Sequence, residues 1–334
     1  MTVKDKILII RTDRIGDVVL TLPVAEILKK ERGAEVWFMG RDYTQVLVDA
    51  SPYVDGFLSW DHFKNKGVFQ SAAEFRKHKF SEVYIISPNF RVSLICLLSG
   101  IKKRVGTGYR WYSFLFSQKI FEHRKTAEKH ELEYNLSMVG WRGKYRFPAD
   151  FFAGIKENKN SQTDNSKIIT IVHPGSGGSA ADLPETHFRF ITEKLCEDGR
   201  FQVFLTGSKD EIEKCLRVKG KSEATLLAGE LSLSELTAFI KEGDLFISNS
   251  TGPLHIAAAS GCFIVGFYPK VIQCSAKRWG PYTERKLIYE PEMDCNGCDL
   301  KQCVRLECMN SINSEKIVAD IMNKIQEIKK WNSK

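Results

Sequence analysis

Short apolar segments rich in β-branched residues alternate with amphipathic segments along most of this 334-residue chain. The first, at residues 6–11, is followed by a glycine turn and then by apolar residues at helical spacing from Val18 to Leu28. The alternation continues with predicted strands at 34–39, 56–59 and 82–86 and predicted helices at 43–49 and 68–78. Strands that alternate with helices form mostly parallel sheets covered on both faces. The pattern therefore predicts a doubly wound α/β fold.

The alternation stops at residues 151–167, a polar stretch that offers little to bury and is interpreted as a linker. It then restarts with predicted strands at 168–172, 201–206, 245–247 and 263–267 and predicted helices at 186–197, 209–219, 233–241 and 252–259. An amphipathic helix with Ser314 as its N-cap is predicted at 314–331. We expect one domain at 1–155, a second at 165–312, and a terminal segment at 313–334 that packs back on the domains.

The composition excludes several classes of protein. With 43% hydrophobic and 27% charged residues, the chain is neither disordered, nor collagen-like, nor a disulfide-stapled miniprotein. No apolar run approaches the roughly 18 residues that cross a bilayer, and no export signal is evident, so we expect a cytoplasmic chain. The net charge of +8 suits an acidic ligand or an anionic surface but is too small and dispersed to demand nucleic acid.

The turn Asp13-Arg14-Ile15-Gly16-Asp17 follows the first predicted strand, where open α/β sheets bind ligands. Gly16 permits a tight turn, and Asp17 is then placed in the first helical turn. A carboxylate there could take a proton from a hydroxyl nucleophile. Alternatively, Asp17 only complements the helix dipole, as acidic residues in a first turn commonly do.

Two polar loops in the second half are suited to phosphate. The loop from His173 to Ser179 contains Gly175 and Ser176 and allows a close backbone approach, but it has neither a Walker lysine nor dinucleotide-type glycine spacing. It could equally be a simple connection.

The other loop, Ser248-Asn249-Ser250-Thr251-Gly252, precedes a helix whose first position suits Pro253. His255 then lies in the first turn, where it could donate to a phosphate oxygen or simply be packed.

Together these three motifs, with Leu22-Pro23 after the first, resemble the bacterial ADP-heptose:lipopolysaccharide heptosyltransferase family, glycosyltransferase family 9, from about residue 6 to about residue 325. The resemblance implies a GT-B architecture, with two Rossmann-like domains facing across a cleft. It implies inverting transfer of heptose from ADP-heptose to a lipopolysaccharide core without a nucleotide-bound metal. The N-terminal domain would receive the acceptor and the C-terminal domain the donor.

The resemblance also implies roles for individual residues. Asp17 matches the proposed catalytic base, and Asp13, Arg14 and Arg110 are expected to contact the acceptor. The expected donor and phosphate site is formed by His173, Gly175, Ser176, Ser250, Thr251, Gly252 and His255.

Two positions depart from the family pattern. Ser250 stands where many members have Asp, and Ala181 stands where members commonly have a lysine that precedes a Trp-Pro pair. A cation for the leaving diphosphate is then missing, although Lys209 or Arg278 could replace it. A donor-switched or non-catalytic nucleotide-sugar or glycan-binding relative is therefore a second hypothesis. A nucleotide-dependent oxidoreductase or epimerase would need a dinucleotide fingerprint that the sequence lacks.

Residues 101–125 carry seven basic residues and one acidic residue, a local net charge of +6, interleaved with aromatic residues. This pattern fits an acidic lipid-linked acceptor and peripheral contact with the inner membrane. A solvated basic face beside core aromatic residues is the plainer interpretation. Single-stranded nucleic acid is disfavoured because no stacking-platform fold is indicated.

Cys295, Cys298, Cys303 and Cys308 lie within fourteen residues near the C-terminus. Four thiolates could close a structural zinc site, but the second pair is separated by four residues rather than two. We therefore expect a thiol-rich loop in preference to zinc, and no required metal or other cofactor.

Overall fold

The computed structural model describes residues 5–156, 163–293 and 307–329. The chain forms two compact units. The first comprises Met1–Arg124 and Glu131–Gly154, and the second comprises Lys125–His130 and Ile155–Lys334. Residues 125–130 therefore group with the second unit, although they lie between two stretches of the first.

The described part of the first unit contains a six-stranded parallel sheet in the order β3-β2-β1-β4-β5-β6. Its strands are β1 Lys6–Ile10, β2 Glu35–Gly40, β3 Gly56–Ser59, β4 Glu82–Ile85, β5 Lys103–Thr107 and β6 Gln118–Ile120. Its helices are α1 Ile15–Val19, α2 Leu22–Arg32, α3 Gln45–Asp49, α4 Trp60–Phe63, α5 Val68–His78, α6 Phe90–Leu98 and α7 Glu131–Ser137.

The described part of the second unit repeats this plan, with a six-stranded parallel sheet in the order β12-β11-β10-β7-β8-β9. Its strands are β7 Ile168–His173, β8 Phe201–Leu205, β9 Thr225–Leu226, β10 Leu245–Asn249, β11 Phe263–Phe267 and β12 Lys286–Tyr289. Its helices are α8 Glu185–Glu197, α9 Ile212–Lys219, α10 Leu233–Glu242, α11 Gly252–Ala259, α12 Ala276–Trp279, α13 Ser314–Asn323 and α14 Ile325–Ile328.

Numbered within its own unit, each sheet has the strand order 3-2-1-4-5-6 of a Rossmann fold. The predicted α/β class with two Rossmann-like domains is confirmed. In such sheets the order reverses between strands 1 and 4, and ligands bind outside the carboxyl ends of the strands at that point. The reversal lies between β1 and β4 in the first unit and between β7 and β10 in the second.

Each unit has its own apolar core. In the first, Leu8 and Ile10 of β1 pack with Val83 of β4 and with Phe75 and Ile95 on the covering helices. In the second, the core is made by strand, α8 and α13 side chains: Val172, Leu205, Ile247, Phe188, Ile191, Ile317 and Ile321. The terminal helix α13 thus buries its apolar stripe in the second unit.

Several local predictions were wrong. The N-cap of α13 is Asn313, whose Oδ1 accepts a hydrogen bond from the Lys316 N–H at 2.9 Å, so Ser314 is the first helical residue. The start of the predicted linker is not exposed, because Phe151, Phe152 and Ile155 are buried.

The structure also adds α6, β5, β6 and α7, which the hydrophobic pattern did not reveal. Within the described ranges, every helix is too short or too polar to cross a bilayer.

Candidate active site

The first cluster of polar groups lies directly after β1 and is organised by Arg11. This buried guanidinium pairs through Nη2 with Asp17 Oδ1, and its Nε lies 2.8 Å from Asp13 Oδ2. Its Nη1 lies 3.3 Å from Oε1 of Glu131, a buried residue at the start of α7 that also pairs with Arg124. A buried charge needs such partners because desolvation is costly.

The position of Asp17 follows from the local fold. It occupies the third residue of α1, and its Oδ2 accepts a hydrogen bond from the Arg14 backbone N–H at 3.4 Å, which caps the helix. One carboxylate oxygen therefore holds the turn and the other faces Arg11. The Asp17 side chain keeps 17% of its surface exposed, so a small part of the carboxylate is accessible.

Burial and charge act on the Asp17 carboxyl in opposite directions. Burial raises its pKa, Arg11 lowers it, and the neighbouring Asp13 and Glu131 raise it again, so the pKa lies above the ordinary value. Burial alone would lower the pKa of Arg11. The charges of the three neighbouring carboxylates raise that pKa by a larger amount, so it lies above the ordinary value. The result is a permanently charged guanidinium beside a carboxylate with increased basicity, which is suited to accepting a proton.

The three residues expected to contact the acceptor do not all lie together in the structure. Asp13 contacts Arg11 and thus belongs to the Asp17 cluster, and Arg14 lies in the same turn with its side chain exposed. Arg110 is exposed on the loop after β5, and β4 separates β5 from β1 in the sheet. Glu131, the second buried carboxylate of the cluster, was not predicted from the sequence. The charged residue Arg11 at the end of an apolar strand was the available signal for a buried ion pair.

The second cluster surrounds the carboxyl ends of β7 and β10, which are neighbours with His173 opposite Ser248. Asn249 is buried there, and its Nδ2 donates to the Pro174 carbonyl at 2.8 Å while its Oδ1 accepts from the Leu183 N–H at 2.8 Å. One amide side chain therefore ties both ends of the connection from β7 to α8, which contains the glycine-rich loop, to β10. This role of Asn249 was also missed from the sequence.

Gly175 packs against a side chain. A Cβ at this position would lie 1.8 Å from Oε1 of Glu211, so a larger residue would require the Glu211 carboxylate to move. The Oε2 of Glu211 accepts from the Ser208 N–H at 2.8 Å. The imidazole Nδ1 of His173 lies 3.0 Å from the Thr206 hydroxyl, and burial lowers the pKa of His173. Both His173 and Gly175 thus have clear structural roles.

Three buried polar atoms near these loops have no hydrogen-bond partner among the described residues: Ser176 Oγ, His255 Nδ1 and Asp182 Oδ1, whose other carboxylate oxygen pairs with Lys214. The first two could donate a hydrogen bond to a ligand. Buried polar groups are nearly always hydrogen-bonded in folded proteins, so both are candidates for contact with a ligand. Burial, with a contribution from His130, lowers the pKa of His255 to about 3. The His255 ring is therefore neutral, with one donor and one acceptor nitrogen.

The start of α11 differs in detail from the prediction. Thr251 is the N-cap, Gly252 is the first helical residue, and Pro253 is the second rather than the first. The Thr251 side chain makes no capping hydrogen bond. Ser250 lies beside Tyr268, whose hydroxyl donates to the Trp279 carbonyl at 3.0 Å.

Ala181 is part of the apolar core of the second unit and supplies no cation. The next residue, Asp182, binds Lys214 of α9, with Nζ and Oδ2 3.0 Å apart. Lys214 also acts electrostatically on His173 and Glu211 beside the glycine-rich loop. Lys214 is therefore a cation beside the glycine-rich loop.

Of the four clustered cysteines, Cys308 is buried, and Cys295, Cys298 and Cys303 lie outside the described residues. In the part of the chain that the structure describes, no three His, Cys, Asp or Glu side chains are grouped to hold a metal ion.

Comparison with known proteins identifies the family. The model for glycosyltransferase family 9 (heptosyltransferase) matches residues 68–309. The chain belongs to glycosyltransferase family 9. This glycosyltransferase is 26% identical over 300 residues to a Haemophilus influenzae relative described as a glycosyltransferase, with 84% of this chain and 87% of the relative covered.

It is also 25% identical over 285 residues to lipopolysaccharide heptosyltransferase 1 of Campylobacter coli, covering 76% of this chain and 81% of that one. Among solved structures, Escherichia coli ADP-heptose lps heptosyltransferase II aligns with a TM-score of 0.76 at 17% identity, over 96% of this chain and 99% of that one. The family 9 glycosyltransferase thus has the GT-B fold.

Proposed function

We propose that this glycosyltransferase moves heptose from ADP-heptose to an acidic, lipid-linked acceptor of the lipopolysaccharide core type, with inversion at the anomeric carbon. The Arg11–Asp17 pair at the carboxyl end of β1 carries the proposal, since it supplies an oriented base beside a permanent cation. Support for the sugar and acceptor comes from the heptosyltransferase relatives, one from Campylobacter coli and one that uses ADP-heptose.

In the proposed reaction Asp17 takes the proton of an acceptor hydroxyl while the hydroxyl oxygen forms a bond to the anomeric carbon of the donor. The bond from that carbon to the diphosphate oxygen breaks, and ADP leaves with the electron pair. When Asp17 is protonated, Arg11 still has Asp13 and Glu131 as partners, so its buried charge stays compensated. Arg14 and Arg110 are proposed to contact the acidic acceptor.

We propose that the donor binds in the second unit, at the carboxyl ends of β7 and β10. The free backbone N–H groups at the start of α11 carry positive partial charge that favours a diphosphate. The Ser176 hydroxyl, the Thr251 hydroxyl and the neutral ring of His255 add polar contacts that the protein leaves available. These groups could stabilise departing ADP in place of Mg²⁺. Lys214 could supply the positive charge that a lysine would provide at the position of Ala181.

A calorimetric titration with ADP, UDP, GDP, CDP and NAD, each with and without Mg²⁺, tests this proposal. Selective binding of ADP that does not depend on Mg²⁺ is the expected result. Preference for another nucleotide would indicate a switched donor, which the core position of Ala181 and the Ser250–Tyr268 contact favour as the second candidate. Absence of nucleotide binding would favour a glycan-binding relative without turnover.

The proposed acceptor also implies a place for the reaction. A lipid-linked sugar acceptor is presented at a membrane surface, so we place the enzyme in the cytoplasm with peripheral contact to the inner membrane.

A further inference from the structure

Exposed aromatic side chains are concentrated in one part of the first unit. In the described part of the chain, six of the eleven exposed large apolar side chains lie between residues 90 and 121. Trp111 is 74% exposed, Phe114 is 67% exposed and Phe121 is 63% exposed. Exposure of this much aromatic area in one region is unusual for a surface in contact only with water.

The sheet topology places four of these side chains at one edge. Phe90 follows β4, Tyr109 and Trp111 follow β5, and Phe121 follows β6, while Phe114 lies further along the connection from β5 to β6. Because the three strands are parallel neighbours, their carboxyl ends lie along the same edge of the sheet. We call this group the aromatic surface; it consists of Phe90, Tyr109, Trp111, Phe114 and Phe121.

Four of these five rings pack in two pairs. The Phe90 and Trp111 centroids are 4.9 Å apart, and the buried Tyr112 packs on both. On the other side of Arg110, Tyr109 packs edge-on against Phe121 at 5.6 Å. The surface is therefore anchored on the core below while its outer rings face solvent.

Positive charge accompanies these rings. Of the seven basic residues at 101–125, Lys103 is paired with Glu82 and Arg124 with Glu131, whereas Arg110 and Lys119 are exposed near the aromatic surface. Glu122, the single acidic residue of this segment, accepts a hydrogen bond from the Ser137 hydroxyl at 2.7 Å. Apolar rings with adjacent Lys and Arg are the combination that binds the headgroup region of an anionic bilayer.

We infer that the aromatic surface is a docking site for an anionic lipid bilayer. Trp and Tyr rings bind at headgroup depth, Phe rings reach the acyl boundary, and Arg110 and Lys119 attract anionic headgroups. Asp17 follows β1 at the same edge of the sheet, separated from β5 by β4. Docking therefore brings the candidate base towards the lipid surface; this last consequence rests on the proposed function, whereas the docking itself does not.

Vesicle co-sedimentation of the full chain, without any sugar acceptor, tests the inference. We expect binding to vesicles of equal phosphatidylglycerol and phosphatidylcholine and at least tenfold weaker binding to pure phosphatidylcholine. The double variant Trp111→Ser/Phe114→Ser should lose at least tenfold in binding to the anionic vesicles. Phe69→Ser is the matched control, because Phe69 is 79% exposed but lies on α5 of the same unit, outside the aromatic surface.

A second pair of variants tests the charge. Arg110→Glu should weaken binding to anionic vesicles several-fold, whereas Lys77→Glu, the same change at an exposed position of α5, should have a much smaller effect. Urea unfolding of each variant checks that the fold is retained. Wild-type binding by the double variant, an equal loss in the controls, or binding to a single-stranded oligonucleotide but not to vesicles would overturn the inference.

The outcome is separate from that of the proposed function, because nucleotide titration uses no lipid. Retained ADP binding without vesicle binding would exclude only the inferred docking site. Vesicle binding without nucleotide binding would exclude only the proposed nucleotide-sugar donor.

Discussion

Arg11 and Asp17 form an ion pair in which the arginine is buried and the carboxylate keeps a small exposed face. Because the same Asp17 side chain also caps α1, its orientation is held from two directions. Such a pair combines a basic oxygen with a fixed position, and both properties can be tested separately.

Replacing Asp17 by Asn should remove the base with little change in shape. We expect turnover to fall by about 10²–10⁴-fold, the range typical for loss of a general base, with ADP affinity unchanged. Steady-state kinetics and calorimetry on the same preparation measure the two quantities. Asp49→Asn, the same change at an exposed position of α3, is the control and should leave turnover unchanged. Full turnover in Asp17→Asn would exclude the proposed role.

Replacing Arg11 by Gln should move the pH dependence of activity. Arg11 lowers the pKa of Asp17, so its removal raises that pKa further, and the acid limb of the kcat/KM profile should shift to higher pH. Loss of one partner of a buried ion pair should also cost about 3 kcal/mol of unfolding free energy. Arg11→Lys keeps a positive charge and should therefore show a smaller shift of the acid limb and a smaller loss of unfolding free energy. An unchanged acid limb in an active Arg11→Gln variant would contradict the electrostatic argument.

Replacing Asn249 by Asp should loosen the glycine-rich loop. The carboxylate still accepts from Leu183 but can no longer donate to the Pro174 carbonyl, so one end of the loop is released. We expect about 1–3 kcal/mol lower unfolding free energy and weaker ADP binding. Asn313→Asp is the matched control, because either residue caps α13 equally well. Equal ADP affinities in both variants would show that Asn249 does not position the donor site.

Buried neutral histidines should make the fold sensitive to acid. The folded-state pKa of His255 is about 3, whereas the unfolded chain binds this proton below about pH 6.5. Stability present at neutral pH is therefore lost as the pH falls from 6.5 towards 3, at about 1.4 kcal/mol per pH unit for this group. Burial also lowers the pKa of His173, which acts in the same direction.

Urea unfolding at pH 7.5 and pH 5 measures this loss. His255→Gln should reduce the difference between the two pH values by about 2 kcal/mol, since one proton-binding group is absent from the unfolded chain. His62→Gln, a change at an exposed histidine, should leave the difference nearly unchanged. An identical pH difference in wild type and His255→Gln would refute the assignment.

The sequence predicted those parts of the fold and site that depend on near neighbours along the chain. Helix α11 and the place of Asp17 in the first turn of α1 follow from local glycine, proline and apolar spacing. The pairing of Arg11 with Glu131 spans 120 positions, and no local pattern encodes it. Helix α6 was missed because it is apolar on nearly all sides and so lacks the polar face that reveals a helix in sequence.

The grouping of Lys125–His130 with the second unit has a consequence for synthesis of the chain. The polypeptide passes from one unit to the other three times, so a single cut near residue 155 cannot yield two intact halves. On the ribosome, the first unit emerges with this short segment still lacking the residues it packs among. His130, whose Nε2 donates to the Gly280 carbonyl at 2.7 Å, gains that partner only after 150 further residues have been translated. Residues 125–130 can thus complete their packing only after the second unit has been synthesised.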